Sequence, residues 1–202
     1  TMILAKFMFR KLGYYPLKDF DAISLTVIVE AILAVNPGVA AKSVKELIGL
    51  ARAQPGKLNM ASAGIASSGH LAGLMFSSMT GTESIHVPYK GGGPSAASVV
   101  AGESQWTFAP LGGLIGHIKT GRLRALAISS KTRSPLLPEL PTVDEAGVPG
   151  YEFITWTGFW APKGTPRVII NTLHAATQKV LAEPDKKQLY AAKSMVPQGN
   201  TS

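Results

Sequence analysis

Apolar and polar positions change rhythm repeatedly along this chain, and the changes mark out alternating strands and helices. Ala31 to Asn36 is an apolar run closed by Pro37, which reads as a strand. "SVKELIGLARAQPG" follows at helical spacing, with Ser43 as N-cap, Glu46 at the capping-box position and a Pro55-Gly56 stop. Leu58 to Ser62, Ser84 to Pro88, Gln105 to Phe108 and Leu123 to Ser129 read as further strands. Between them the pattern predicts helices from Ser68 to Met79, from Pro94 to Ala101 and from Leu111 to Lys119, Pro94 being at home in a first turn. This alternation predicts an α/β fold with a mostly parallel sheet covered by helices on both faces.

The rhythm breaks at Lys131. "KTRSPLLPELPTVDEAGVPG" holds four of the 14 prolines and reads as a surface connection with one short helix near Val143 to Ala146. "YEFITWTGFWAP" then reads as an extended aromatic strand. Beyond it the pattern predicts two helices divided at Pro184, with Val168, Leu173, Ala176, Val180 and Leu181 near helical spacing. A boundary is therefore expected between residues 130 and 150. At the other end, Ile3, Phe7 and Leu12 share one face of a predicted amphipathic helix. The basic pair Arg10 and Lys11 follows the apolar stretch instead of preceding it, the wrong order for a signal peptide.

Composition narrows the function classes. Of 202 residues, 46% are hydrophobic and 16% charged, the balance of a soluble globular protein, and no apolar run approaches membrane-spanning length. Cysteine is absent, which removes disulfides, a thiolate nucleophile and a cysteine-based zinc site. The net charge of +8 suggests an anionic partner, but the lysines and arginines form no run longer than two and no nucleic-acid motif accompanies them. A basic protein that handles small acidic molecules is the better reading, with no nucleic-acid partner.

Two stretches have the chemistry for that. In "NMASAGIASSGHLAG" a strand runs into a turn of small residues, Ser62, Ala63, Gly64 and Ala66, and then a helix start at Ser67 and Ser68. First-turn N–H groups lack intrahelical acceptors, and with the helix dipole they form a seat for an anion. The plainer reading is a serine that caps its own helix. "HVPYKGGGPSAAS" repeats the arrangement, with Tyr89 and Lys90 before the glycines from Gly91 onward, but it lacks the Lys-Ser/Thr of a P-loop. Its plainer reading is a flexible connection with Tyr89 packed on the sheet edge.

Other chemistries find little support. No G-x-S-x-G occurs, and Ser67 with His70 has no orienting carboxylate nearby in sequence. The four histidines lack metal-ligand spacing. Asp144-Glu145 and Glu183/Asp185 sit where helices start and complement their dipoles.

Four long stretches, "KLNMASAGIASSGHLAGLMFSSMTG", "IHVPYKGGGPSAASVVAGE", "HIKTGRLRALAISSKTRSPLLPELPTVDEAGVPGYE" and "WTGFWAPKGTPRVIINTL", resemble in order and spacing the periplasmic substrate-binding proteins of tripartite tricarboxylate transporters, Bordetella uptake type. The resemblance runs from Tyr15 to near residue 200. It implies a type II periplasmic-binding-protein fold, a two-lobed receptor that captures small carboxylates for a membrane permease. Di- and tricarboxylates, acidic amino acids and aromatic acids are the implied ligands. Neither catalysis nor a metal or cofactor is implied. On this pattern Ser62, Ala63, Gly64, Ala66, Ser67 and Ser68 donate to the ligand carboxylate, with Tyr89 and Gly91 beside them and Ala109 at the cleft edge. Residues 30–148 form a complete lobe, and residues 1–29 with 149–202 form part of the other.

Three residues depart from the family pattern. Ala66 stands where a second turn glycine is usual, and "GESQWTFA" places Gln105 and Ala109 at positions that are usually acidic. Losing a carboxylate at the cleft edge lessens repulsion of an anion or abolishes recognition of an amino group. A long N-terminal stretch typical of the family, including its signal peptide, has no counterpart here. An incomplete lobe exposes apolar sheet surface, so self-association through it, or origin as a fragment of a longer product, is expected. The alternatives are a truncated receptor that binds no solute and serves as a self-associating module, and an α/β hydrolase-like enzyme using Ser67 and His70.

Overall fold

The computed structural model describes residues 11–193 and 195–199. The helix expected around Ile3 and Phe7 lies outside the described residues. The chain divides into two compact units, Glu30–Ile154 and, from the two ends, Thr1–Val29 with Thr155–Ser202.

The elements of the larger unit begin in β1 (Phe20–Val35), whose first residues belong to the smaller one. Then come α1 (Val44–Ala53), β2 (Asn59–Ser62), α2 (Ser68–Thr80), β3 (Ile85–Pro88), α3 (Gly92–Ala101), β4 (Trp106–Pro110), α4 (Leu111–Lys119) and β5 (Arg124–Ile128). The smaller unit continues with β6 (Ile154–Pro162), α5 (Arg167–Ala182), α6 (Pro184–Ala192) and β7 (Met195–Pro197).

The larger unit is a sheet in the order β3-β2-β4-β1-β5. β2 pairs in parallel with β3, Ser62 opposite Pro88, and with β4, Ala61 opposite Thr107. β1 pairs antiparallel with β4 and β5 on its two sides. Four strands thus run one way, as the βα alternation predicts, and the end of β1 is interposed against them. The apolar run of β1 is explained by this central place: Ala31, Leu33 and Val35 face α1 and α2, where Val44, Leu47, Ala72 and Phe76 pack. Ile32 and Ala34 face α3 and α4, meeting Ala96, Val99, Leu111 and Leu114. A strand covered on both faces has no polar side to alternate with. Each Leu, Ile or Phe buried here contributes about 1.5–3 kcal/mol.

Helix α1 is capped as expected at Ser43, whose Oγ accepts the Glu46 N–H at 3.2 Å, while the Glu46 carboxylate reaches back to the Lys42 N–H at 2.8 Å. The helix expected at Val143 to Ala146 is instead a single hydrogen-bonded turn, Ala146 N–H donating to the Thr142 carbonyl at 2.9 Å. Gly147, at φ 114°, and Pro149 end it there.

The aromatic stretch is divided between the units. Tyr151 is buried against Phe108, with rings stacked 5.7 Å apart, and its hydroxyl donates to the Ala72 carbonyl of α2 at 3.0 Å. Burial pushes the Tyr151 phenol well above its ordinary pKa. The Phe153 N–H donates to the Ser129 carbonyl at 2.8 Å, and regular strand structure begins only at Ile154.

In the smaller unit, β1 pairs with β6 and, antiparallel, with β7, Val27 opposite Pro197. Its core is small, Ile23, Ala161 and Ile170. Trp156, Phe159, Val168, Ile169 and Leu173 are exposed, Val168 by 70%. Among the described residues no helix is long and apolar enough to cross a membrane.

Replacing Tyr151 by Phe removes one buried hydrogen bond and leaves the ring stack, so a loss of about 1 kcal/mol is expected. Tyr151→Ala also opens a cavity and is expected to cost about 3–5 kcal/mol. Urea unfolding midpoints of the two variants check the difference.

Candidate functional site

Because β2, β3 and β4 are neighbours running in the same direction, their carboxyl ends share one edge of the sheet. A helix starts after each: α2 beyond the loop 63–67, α3 beyond residues 89–91, and α4 directly after Pro110. This is the edge where open α/β sheets place ligands. Three sets of first-turn N–H groups and three positive dipole ends therefore gather on one rim.

The three helix starts are dressed differently. Ser67 caps α2, its Oγ accepting the His70 N–H at 3.4 Å, and the Ser68 and Gly69 N–H groups have no acceptor among the described residues. α3 has Gly91 at its N-cap and no side-chain cap, and Gly92, Gly93 and Pro94 are exposed. α4 starts from Pro110, again without a side-chain cap. Two surface grooves of this unit, about 350 and 370 Å³, lie elsewhere, one along α1 and Gly147–Pro149, the other at the amino ends of β2 and β3.

The loop after β2 is held in one shape by its own hydrogen bonds. Ser62 is buried, and its Oγ donates to the Gly64 carbonyl at 2.9 Å while accepting from the Gly64 N–H at 3.2 Å. With its one proton so placed, Ser62 accepts at 2.7 Å from His86 Nε2–H. The Ser67 N–H donates to Gly64, and the Gly91 N–H donates to the Ala63 carbonyl at 3.1 Å, tying the two loops together. The Ala66 N–H donates to His70 Nδ1 at 3.0 Å. Ala66 takes φ 58°, the left-handed conformation that the family glycine would adopt without strain. Gly69 has no room for a side chain, because a Cβ there would collide with the Phe108 carbonyl.

Beneath the loop, His70 and His86 stack with ring centroids 3.7 Å apart and planes 12° from parallel. Burial lowers the pKa of both, and for His86 the neighbouring His70 lowers it further. Both rings are therefore neutral at pH 7, and the positive character of the rim comes from backbone dipoles and from exposed Lys90.

The remaining sequence-predicted residues have clear places. Tyr89 packs its ring with the cluster around Ile32 and Val99, its hydroxyl 3.4 Å from Ser104 Oγ, and its N–H donates to the Ser62 carbonyl. Tyr89 thus supports the candidate rim through its backbone. Ala109 lies near the end of β4 opposite Ile32. Gln105 lies at the other edge, accepting the Asn59 N–H at 2.8 Å, so its substitution for an acidic residue does not touch the rim. Ser67 and His70 form no dyad: the ring nitrogen serves Ala66 and the hydroxyl serves the His70 backbone. Ser62 and His86 are close enough for one, but Ser62 is buried and its proton is engaged. No metal-binding cluster of three or more His, Cys, Asp or Glu occurs among the described residues. Sequence reasoning placed the α4 start at Leu111 without counting it in the rim, and it missed the Ser62–His86 pairing, which has no local signal.

The model of the tripartite tricarboxylate transporter family receptor matches residues 1–201. A Pseudomonas sp. (strain P51) protein encoded in the tcbD-tcbE intergenic region is 36% identical over 185 residues, which are 91% of this chain and 55% of that protein. Among solved structures, Rpa4515 of R. palustris with adipate superposes at a TM-score of 0.87 with 33% identity, covering 96% of this chain and 64% of the other. MatC from Rhodopseudomonas palustris with bound malate gives 0.86 and 28%, covering 97% and 67%. The chain spans about half the length of the curated relatives it matches.

Two expectations follow from the loop. Ala66→Gly relieves a left-handed residue at about 1–2 kcal/mol and loses about 0.5–1 kcal/mol to unfolded-state freedom, so a net stabilisation of up to about 1 kcal/mol is expected in urea unfolding. The depressed histidine values make the unfolded chain take up protons first as pH falls below the ordinary value of 6.5. Their contribution is complete above that value and is lost as pH falls towards the folded-state values. Unfolding midpoints taken from pH 7.5 to pH 5 should decline, and His70→Asn, which keeps an acceptor for Ala66, should flatten the decline.

Proposed function

The chain belongs to the tripartite tricarboxylate transporter receptor family, and we propose that it binds a small carboxylate at the shared carboxyl edge of β2, β3 and β4. The observation that carries this reading is the gathering of three helix starts on one rim, two of them without a side-chain cap. Each helix N-terminus contributes on the order of 0.3–2 kcal/mol to an anion, and hydrogen bonds to an ionised carboxylate are about twice as strong as neutral ones. In this reading Ser67, Ser68 and the Gly92 and Gly93 N–H groups face the ligand, while Ser62, Gly64, Ala66 and Tyr89 hold the loops in place. Ala63 and Gly91 join the two loops, and Ala109 removes a negative charge from the β4 end. The ligand class is a di- or tricarboxylate, an acidic amino acid or an aromatic acid, bound in the periplasm and passed to a membrane permease. The related structures with adipate and with bound malate support a carboxylate ligand.

A second reading, self-association, is favoured by the exposed Trp156, Phe159, Val168, Ile169 and Leu173 of the smaller unit. Light scattering after size exclusion checks it, a monomer at all concentrations counting against it.

Titration calorimetry with malonate, succinate, malate, citrate, glutamate and nicotinate tests the main reading. Saturable binding of at least one acid is expected, weakened about tenfold (about 1.4 kcal/mol) by Ser67→Ala with Ser68→Ala. Absence of binding by every acid at millimolar concentration would overturn it.

A further inference from the structure

The groove along α1 lies away from the rim, and the carboxylate reading leaves it unused. It follows the helix because Lys45, Ile48, Gly49 and Arg52, spaced three, four and seven apart, share one face. Facing them at the Arg52 end is the last turn of α2, with Met79 and Thr80; at the Lys45 end it is the turn Gly147–Pro149. The space between is about 350 Å³. Its middle is apolar, formed by Ile48, by Met79, which is 41% exposed, and by Val148. At Gly49 an added Cβ would meet nothing within 4 Å, so the missing side chain keeps the groove clear, although glycine is a poor helix former.

Both ends of the groove are cationic, and both cations are held in place. The Arg52 Nε–H and Nη2–H groups donate to the Thr80 carbonyl at 3.2 and 2.6 Å, which fixes the guanidinium plane and leaves the Nη1 donors without a protein partner among the described residues. The Lys45 stem lies against Gly147, where an added Cβ would strike its Cγ and Cε, while the residue as a whole is exposed. Neither cation has a carboxylate within ion-pair distance among the described residues. The nearby acids are engaged elsewhere: Asp144 accepts the Gly150 N–H, and Glu46 accepts the Lys42 N–H.

We propose that this groove docks an extended acidic segment of a partner protein, two carboxylates flanking one apolar side chain. Charge complementarity selects that occupant, since an apolar floor lies between two cations that have no acid of their own. Seven helical residues separate Lys45 from Arg52, a rise of about 10 Å. In an extended chain the side chains at i, i+2 and i+4 share one face and span about 13 Å, which the two long cationic side chains can match. The fitting pattern is therefore acidic-x-apolar-x-acidic: the apolar residue covers Ile48 and Met79, one acid meets Lys45 and the other meets the Nη1 donors of Arg52. Because the guanidinium is already fixed and the lysine stem already packed, docking has few side chains left to order. The groove is separate from the rim, so this inference stands independently of the carboxylate reading.

Fluorescence anisotropy of the fluorescein-labelled peptide Gly-Glu-Ser-Leu-Ser-Glu-Gly, titrated with the full chain at low salt, tests this. Saturable binding is expected, about tenfold weaker when both Glu of the peptide are replaced by Gln, and weaker again at high salt. Gly49→Glu places a bulky acid in the middle of the groove at a position with room for it, and is expected to abolish binding while circular dichroism and the urea midpoint show the fold intact. Should Gly49→Glu unfold, Lys45→Glu at its exposed position serves instead: it is expected to weaken the acidic peptide about tenfold and to bind a peptide with Lys in place of one Glu better than the wild type does. No saturation at millimolar peptide, equal binding of the Gln peptide, or binding that these variants leave unchanged overturns the proposal. Binding of phosphatidylglycerol vesicles without binding of the peptide also overturns it, in favour of a lipid surface.

Discussion

The close approach of α2 to the sheet is the constraint on which the rim depends. Gly69, Ala72, Gly73 and Phe76 lie on one face of that helix, three small residues followed by a large one. A side chain at Gly69 would strike the Phe108 carbonyl, and one at Gly73 would strike Met60 Sδ. Phe76 then fills the space beneath, in contact range of Trp106, Phe108 and Tyr151. The Tyr151 hydroxyl fastens the middle of the helix through the Ala72 carbonyl. With the helix pressed down at its start, the loop 63–67 has one course to follow, and the N–H groups of Ser68 and Gly69 come to the level of the strand ends. Overpacking at Gly69, where the obstacle is backbone, would lift that helix start at about 1–3 kcal/mol, whereas at Gly73 the flexible end of Met60 can move aside.

Most of the element order was legible in the sequence, because period and punctuation are local properties. Ser43, Pro55-Gly56 and the small residues at 61–64 each sit where the backbone demands them. What escaped was non-local. Nothing in "VIVEAILAV" distinguishes a strand running against its neighbours from one running with them, since a strand buried on both faces shows no alternation in either direction. Tyr151 and Phe153 read as the start of a strand because aromatic residues favour strands. Their backbone and ring partners, Ser129, Ala72 and Phe108, are supplied by the fold. The candidate rim was half legible: the glycines and serines after β2 and β3 announced it, while the place of His86 under Ser62 and of the α4 start on the rim depended on which strands lie side by side.

The histidine stack clarifies how the rim obtains its charge. An imidazolium would be the obvious counter-ion for a carboxylate, yet His70 uses Nδ1 as an acceptor for the Ala66 N–H, which requires a neutral ring. His86 is held against it at stacking distance, where two cations would repel. These rings serve the loop's shape and leave the electrostatics to the backbone. The net charge of +8 is correspondingly dispersed over the chain, and Lys90 is the cation that sequence places next to the rim. A seat built from amide dipoles incurs no desolvation of a protein cation when it fills, and it loses little when it empties.

A dipolar seat of this kind has a corollary for selectivity. Amide N–H groups at a helix start recognise any carboxylate of suitable shape, so they discriminate weakly between one acid and another. Discrimination has to come from side chains around them, and the loop contributes few: Ala63, Gly64 and Ala66 carry no polar group, Ser62 is engaged, and Tyr89 is turned into the core.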